Sequence, residues 1–220
     1  MIRDPDREHA LAAQLAEELG DAQVAAQFAR IVLDDILTWR APVADPGAFD
    51  TILAFTFGNR MAANGNRSPG PVNAALADTA VALQRRCGAT VYAQWEIAEA
   101  MAAAGASVVA IHPGRDARAE PVYFGTAAVV TRALVEAGSP GALGRVGVVA
   151  FADHLRRCVA TARRQGVDAW APDGVAMPAE YDALSGQPWC RSRLAYLLHD
   201  IAIGIAERRD ALYANPDPIP

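Results

Sequence analysis

Residues 146–157 read VGVVAFADHLRR, a run of six apolar or small residues followed by Ala152, Asp153, His154, Leu155, Arg156 and Arg157. A segment apolar along its whole length suits a strand covered on both faces, the usual condition in a parallel sheet lying between helices. The same pattern occurs three times upstream. ILAFTF (52–57) runs into Gly58-Asn59-Arg60, ATVYA (89–93) into Gln94-Trp95-Glu96, and SVVAI (107–111) into His112-Pro113-Gly114-Arg115.

Helical periodicity fills the intervals. Val72, Leu76, Ala80 and Leu83 mark one face of a helix over 72–87,. Further helices are predicted at 95–104, at 125–137 (stopped by Gly138-Ser139-Pro140-Gly141) and at 153–165, with a short edge strand at 167–170,. Strands alternating with helices at this spacing imply a parallel sheet under helices. The expected fold is α/β, a three-layer Rossmann-like sandwich with a mostly parallel sheet of about five strands. In such sheets ligands bind beyond the carboxyl ends of the strands, which is where the four polar clusters fall.

Outside this core, Leu11, Leu15 and Leu19 give an amphipathic helix over 6–19,. After Gly20-Asp21 a second helix runs to about Trp39 with Val24, Phe28, Ile31 and Val32 on one broad face. This N-terminal pair is expected to cover the sheet. Pro42 to Pro46 reads as a turn, 171–191 as irregular, and 192–211 as a last helix. One domain over 1–220 is the expectation: a helical cover at 1–40, the α/β core at 50–170, and the irregular segment with its helix at 171–220.

The chain has 220 residues, 52% hydrophobic and 20% charged, with a formal net charge of −5. That is enough chain for a large core, and the charge gives no reason to expect nucleic-acid or membrane binding. All 20 cationic residues other than histidine are arginine. Schiff-base lysine and P-loop lysine chemistry are therefore excluded, and any permanent positive charge in a site is a planar guanidinium suited to carboxylate or phosphate. Cys87, Cys158 and Cys190 lie far apart with no CxxC, and no signal or transmembrane segment is evident, so a cytoplasmic location is expected,.

The loop from Gly58 to Pro71 contains Asn59, Arg60, Asn66 and Arg67 and leads to Asn73 in the next helix. Glycine and asparagine tolerate the left-handed backbone region, and two arginines beside a helix N-terminus suit an anion. Gln94 presents both a donor and an acceptor at a strand end. Glu96 in a helix first turn is also what the macrodipole favours. His112 ends a further strand and His154 is the second residue of the helix after another, but the two lack a third ligand at metal spacing, so a divalent metal is not expected. An imidazole at a helix N-terminus is biased toward its neutral form and is available as a base. His154 and Arg157, at i and i+3, share a face and are the pair placed on the ligand. His154, Glu96 and His112 are thus the catalytic candidates. Gly58, Asn59, Arg60, Asn66, Arg67, Asn73, Gln94, Glu120, Thr126 and Arg157 are the binding candidates.

The glycine after a strand, Glu120 and Thr126 leading into a helix, and the strand running into His154-x-x-Arg157 with Gly166 after it resemble the DUF218 (YdcF/SanA/ElyC-like) proteins over about residues 50–170. The resemblance implies a Rossmann-like three-layer fold and ligands of the nucleotide or S-adenosylmethionine type. It maps onto Gly58, Glu120, Thr126, His154 and Arg157. The chain departs from the family pattern at Ala127-Ala128-Val129, where Glu-Asn is common, and the membrane anchor of the SanA-like members is not expected of it.

The leading expectation is a cytoplasmic enzyme acting on a small anionic, phosphorylated or nucleotide-like substrate by group transfer or hydrolysis. Hydride transfer is disfavoured because no G-x-G-x-x-G fingerprint is present. The alternatives are a non-enzymatic protein binding a nucleotide or S-adenosylmethionine, and an assembly subunit forming a homodimer through the N-terminal helix pair.

Overall fold

The computed structural model describes residues 5–61, 65, 67–114 and 124–214. In chain order its elements are α1 (Pro5–Leu19), α2 (Ala22–Ile31), β1 (Val43–Ala44), β2 (Thr51–Ala54), β3 (Arg60–Met61), β4 (Arg67–Ser68), α3 (Gly70–Cys87), β5 (Thr90–Gln94), α4 (Trp95–Ala103) and β6 (Val109–Ile111). Then follow α5 (Thr126–Ala137), β7 (Arg145–Val149), α6 (Leu155–Arg164), β8 (Asp168–Pro172) and α7 (Arg193–Ala214). The chain divides into two compact units. One comprises 1–38 with 197–220, the other 39–196.

The larger unit holds a six-stranded sheet in the order β1-β8-β7-β2-β5-β6, every neighbouring pair parallel. Period-2 alternation sends β2 side chains to both faces. Ile52 and Ala54 pack with Leu76, Ala80, Leu83, Ile97 and Met101 on the α3–α4 side. Leu53 and Phe55 pack with Val129, Ala133, Cys158, Val159 and Ala162 on the α5–α6 side. The result is the predicted three-layer α/β arrangement, with one more strand than expected. The sixth, β1, comes from the segment read as a turn: Val43 and Ala44 pair with Ala171 and Pro172. Pro42 and Pro46 are tolerated there because β1 lies at the sheet edge,.

From β2 the chain moves outward to β5 and β6, then crosses back to β7 on the other side of β2 and on to β8. The topological switch point therefore lies between β2 and β7. Their carboxyl ends lead into 55–60 and 150–157.

The smaller unit contains α1, α2, a π-helical extension of α2 over Val32–Ile36, and α7 from Leu197 onward. Asp21 caps α2, its carboxylate accepting from the backbone N–H of Gln23 and Val24 at 3.0 Å each,. Arg30 ties α2 to Glu8 of α1 at 2.8 Å. Among the described residues no helix is long and apolar enough to cross a membrane.

Candidate functional site

Because the sheet is wholly parallel, the ends of β2, β5, β6 and β7 lie along one edge, and with them Gly58, Gln94, His112 and His154. Two side chains organise the β2 end. Gln94 Oε1 accepts the N–H of Thr56 at 2.9 Å. Asn73, fully buried, accepts the N–H of Phe57 at 2.9 Å and donates to the carbonyls of Gly58 at 2.8 Å and Pro69 at 2.6 Å. These side chains replace the neighbouring strand as hydrogen-bond partners, which explains why β2 stops at Ala54 although the apolar run continues to Phe57.

The loop after Phe57 is latched by a strap, residues 173–192. Gly58 has φ +70°, and a Cβ there would lie 2.5 Å from Ser185 Oγ, so the glycine admits the strap. The buried Asn59 accepts at its carbonyl from Gly186 N–H at 2.6 Å and from Ser185 Oγ at 3.4 Å. Arg60 donates twice to Asp182, at 2.8 and 3.0 Å, and holds that carboxyl below its ordinary range,. In this structure the hydrogen-bonding groups described for Asn59, Arg60 and Asn73 serve the protein's own chain.

The other half of the switch point is built differently. His154, 6% exposed, immediately precedes α6, which begins two residues later than the helix read from sequence and so leaves His154 just outside it. Its Nε2 lies 3.5 Å from Thr126 Oγ1. Arg157, one turn along, donates to the same Oγ1 at 3.1 Å and to the hydroxyl of Tyr196 at 3.1 Å. The α5 cap is Gly125 without a side-chain bond, so the Thr126 hydroxyl is turned to this cluster rather than to capping its own helix. With Arg157 donating to it, that hydroxyl has its proton to offer the imidazole.

One wall is aromatic. Phe57 stacks on Phe151 at 3.9 Å, and Tyr196 meets Phe57 and His154 edge-on at 4.8 and 5.9 Å. Behind it Asp153 accepts from the Tyr181 hydroxyl at 2.8 Å and twice from Arg193, at 3.0 and 3.1 Å. Burial and the bond to Asp153 push the Tyr181 phenol well above its ordinary range,. Burial also pushes the Cys190 thiol up to about 12, against the pull of Arg157, so it is not a thiolate nucleophile at neutral pH,.

Glu96, the second residue of α4, is 6% exposed, and its Oε2 has no hydrogen-bond partner among the described residues. Burial lifts its carboxyl to about 7, with Arg67 pulling the other way,. His112 follows β6 and is exposed, as is Arg67 in β4. Asn66 and Glu120 lie outside the described residues. No group of three potential metal ligands occurs among those described.

The structure thus joins His154, Thr126 and Arg157 directly, links Gln94 and Asn73 to the β2 end, and assigns Arg60 to the strap. Tyr196, Tyr181, Asp182 and Ser185 were not singled out from sequence. They are separated from their partners by 28 to 126 residues, and no local motif marks them. Comparison with known protein families, characterised proteins and solved structures finds no match for this chain.

Proposed function

We propose that the protein is an enzyme acting on a small anionic, phosphorylated or nucleotide-like molecule by group transfer or hydrolysis at the His154–Thr126–Arg157 cluster. The observation that carries this reading is the meeting of a hydroxyl from α5 with a guanidinium and an imidazole from the α6 turn, within 3.5 Å, beside the switch point. Arg157 would take the anion by charge-assisted hydrogen bonds. His154 would accept or deliver the proton, with Thr126 orienting it. Glu96, its carboxyl near 7, would be a second proton-carrying group. The DUF218 resemblance is consistent with this assignment at Thr126, His154 and Arg157.

A thermal-shift screen against nucleotides, phosphosugars, S-adenosylmethionine and divalent metals tests it, with each stabilising compound then analysed by mass spectrometry for chemical change. Arg157→Ala should weaken binding of the stabilising anion by roughly 10–100-fold, the range for a hydrogen bond to a charged group. Undiminished binding in that variant overturns the site. A ligand bound in an Arg157-dependent way but recovered unchanged would make the same residues a nucleotide or S-adenosylmethionine sensor.

A further inference from the structure

We infer that Glu96 accepts from a ribose hydroxyl and that the molecule bound beside the switch point is a mononucleoside phosphate. Its phosphate is the anion given above to Arg157, so the inference rests on that reading and extends it across β2 to the end of β5. Counted in chain order from Thr51, leaving out the separate β3–β4 hairpin, strands β2, β5, β6, β7 and β8 stand in the sheet order third-second-first-fourth-fifth, with β1 added beyond β8. That is the order of doubly wound nucleotide-binding sheets, in which an acidic side chain after the second strand accepts from a ribose hydroxyl. Glu96 stands two residues past the end of that second strand, β5.

Position alone does not mark Glu96, since any helix N-terminus favours a carboxylate. Its burial does. The residue is 6% exposed, and its Oε2 is closed to solvent with no hydrogen-bond partner among the described residues. The macrodipole is served equally by a carboxylate in water, so it does not account for a sealed one. Burial outweighs the hydrogen bond from the Glu96 backbone N–H and lifts the carboxyl to about 7, so both protonation states are populated near neutral pH,. Buried polar groups normally have partners, and one left over at the ligand edge of the sheet marks a contact that a bound molecule completes. A hydroxyl suits both states, donating to the carboxylate and accepting from the acid. A phosphate would repel the ionised form, and an ammonium would leave the proton of the acid unused. Neighbouring strands lie about 4.8 Å apart, so the ends of β5 and β7, which flank β2, are roughly 10 Å apart,. One nucleoside phosphate can bridge that gap with its phosphate at Arg157 and its ribose at Glu96. The chain lacks the G-x-G-x-x-G loop that seats a pyrophosphate, which favours a mononucleotide over a dinucleotide,. The ribose reaches Oε2 only as its cover parts, and there it displaces no existing hydrogen bond.

Isothermal titration calorimetry of the full chain tests this with adenosine, guanosine, cytidine and uridine 5′-monophosphates, each beside its 2′,3′-dideoxy counterpart. At least one ribonucleotide should bind, and its dideoxy counterpart should bind roughly 10–100-fold more weakly, the range for losing a hydrogen bond to a charged group. Glu96→Ala should weaken the ribonucleotide by a similar factor and erase the difference between the two sugar forms. Glu96→Gln, which keeps an acceptor, should retain part of that difference. A parent that binds no ribonucleotide, binds both sugar forms alike, or keeps its full discrimination in Glu96→Ala overturns the inference. Should Glu96→Ala lose the thermal transition of the parent, Glu96→Gln decides, with undiminished discrimination overturning the inference. Arg157→Ala separates the two sites, since it should weaken both sugar forms alike. A parent that binds inorganic phosphate through Arg157 but no ribonucleotide refutes the ribose contact and leaves the anion site standing. Discrimination that depends on Glu96 but is indifferent to Arg157→Ala does the reverse.

Discussion

Truncating Asn73 should unfasten the β2 end, and its three hydrogen bonds set the size of the loss. Asn73→Ala leaves the buried N–H of Phe57 and the buried carbonyl of Gly58 without their partner, while Pro69, half-buried, has access to water. Each orphaned buried group costs about 1–3 kcal/mol, so the variant should lose roughly 2–6 kcal/mol. For a protein of this size that lowers the thermal midpoint by on the order of 10 °C. Urea titration followed by tryptophan fluorescence and circular dichroism measures it. Asn73→Asp sharpens the test. It keeps an acceptor for Phe57 but turns an oxygen toward two carbonyls, where only the protonated acid can donate. Its carboxyl should therefore titrate higher in the folded than in the unfolded chain. Stability of this variant should be greatest below the unfolded carboxyl range and decline as pH rises through the folded value. A loss under 1 kcal/mol for Asn73→Ala, or no pH dependence for Asn73→Asp beyond that of the parent, would show that the clamp does not hold this loop.

Glu96 offers a second pH signature. Its carboxyl at about 7 in the fold, against 4.5 for the free group, means the folded state favours the proton. That contribution is complete below about 4.5 and is lost as pH rises through about 7, an effect of up to roughly 3 kcal/mol. Glu96→Gln should therefore be more stable than the parent at pH 8 and nearly equal at pH 4.5 in urea melts; a parallel pair of curves would refute the buried-carboxyl account. Gly58→Ala places a Cβ against Ser185 in a left-handed backbone and should cost about 2 kcal/mol or more,. Ser185→Ala should relieve part of that cost, so additive losses in the double variant would refute direct contact as the cause.

The apolar runs made the sheet legible because burial on both faces leaves a continuous signal in the chain. Strand ends were less legible. β2 stops where Gln94 and Asn73 capture the N–H groups of Thr56 and Phe57, contacts made across 38 and 16 residues. β1 was hidden for another reason: two residues between prolines carry no periodicity, and only β8 alongside makes them a strand. In the site, His154 and Arg157 could be paired from their spacing, and both reach Thr126. The use made of Gly58, Asn59 and Arg60 could not be read. Glycine, asparagine and arginine after a strand suit a bound anion or a packed polypeptide equally well, and Asp182, which makes the difference, is 122 residues away.

That latch changes how the sheet edge can work. Asp182 supplies to Arg60 the same bidentate carboxylate geometry that an anionic ligand would offer, so the α3 side of the switch point already carries a neutralised ion pair,. On the α6 side, Arg157 donates to the hydroxyls of Thr126 and Tyr196. The Arg60 side chain is 42% exposed but that of Asp182 only 8%, so removing Arg60 leaves a largely buried carboxylate unpaired and should cost about 1–3 kcal/mol,. If the proposed division of the edge is right, Arg60→Ala should leave affinity for the stabilising anion within about threefold of the parent, while Arg157→Ala weakens it as stated above. Equal losses from the two substitutions would mean that the strap yields to the ligand and that both arginines share it.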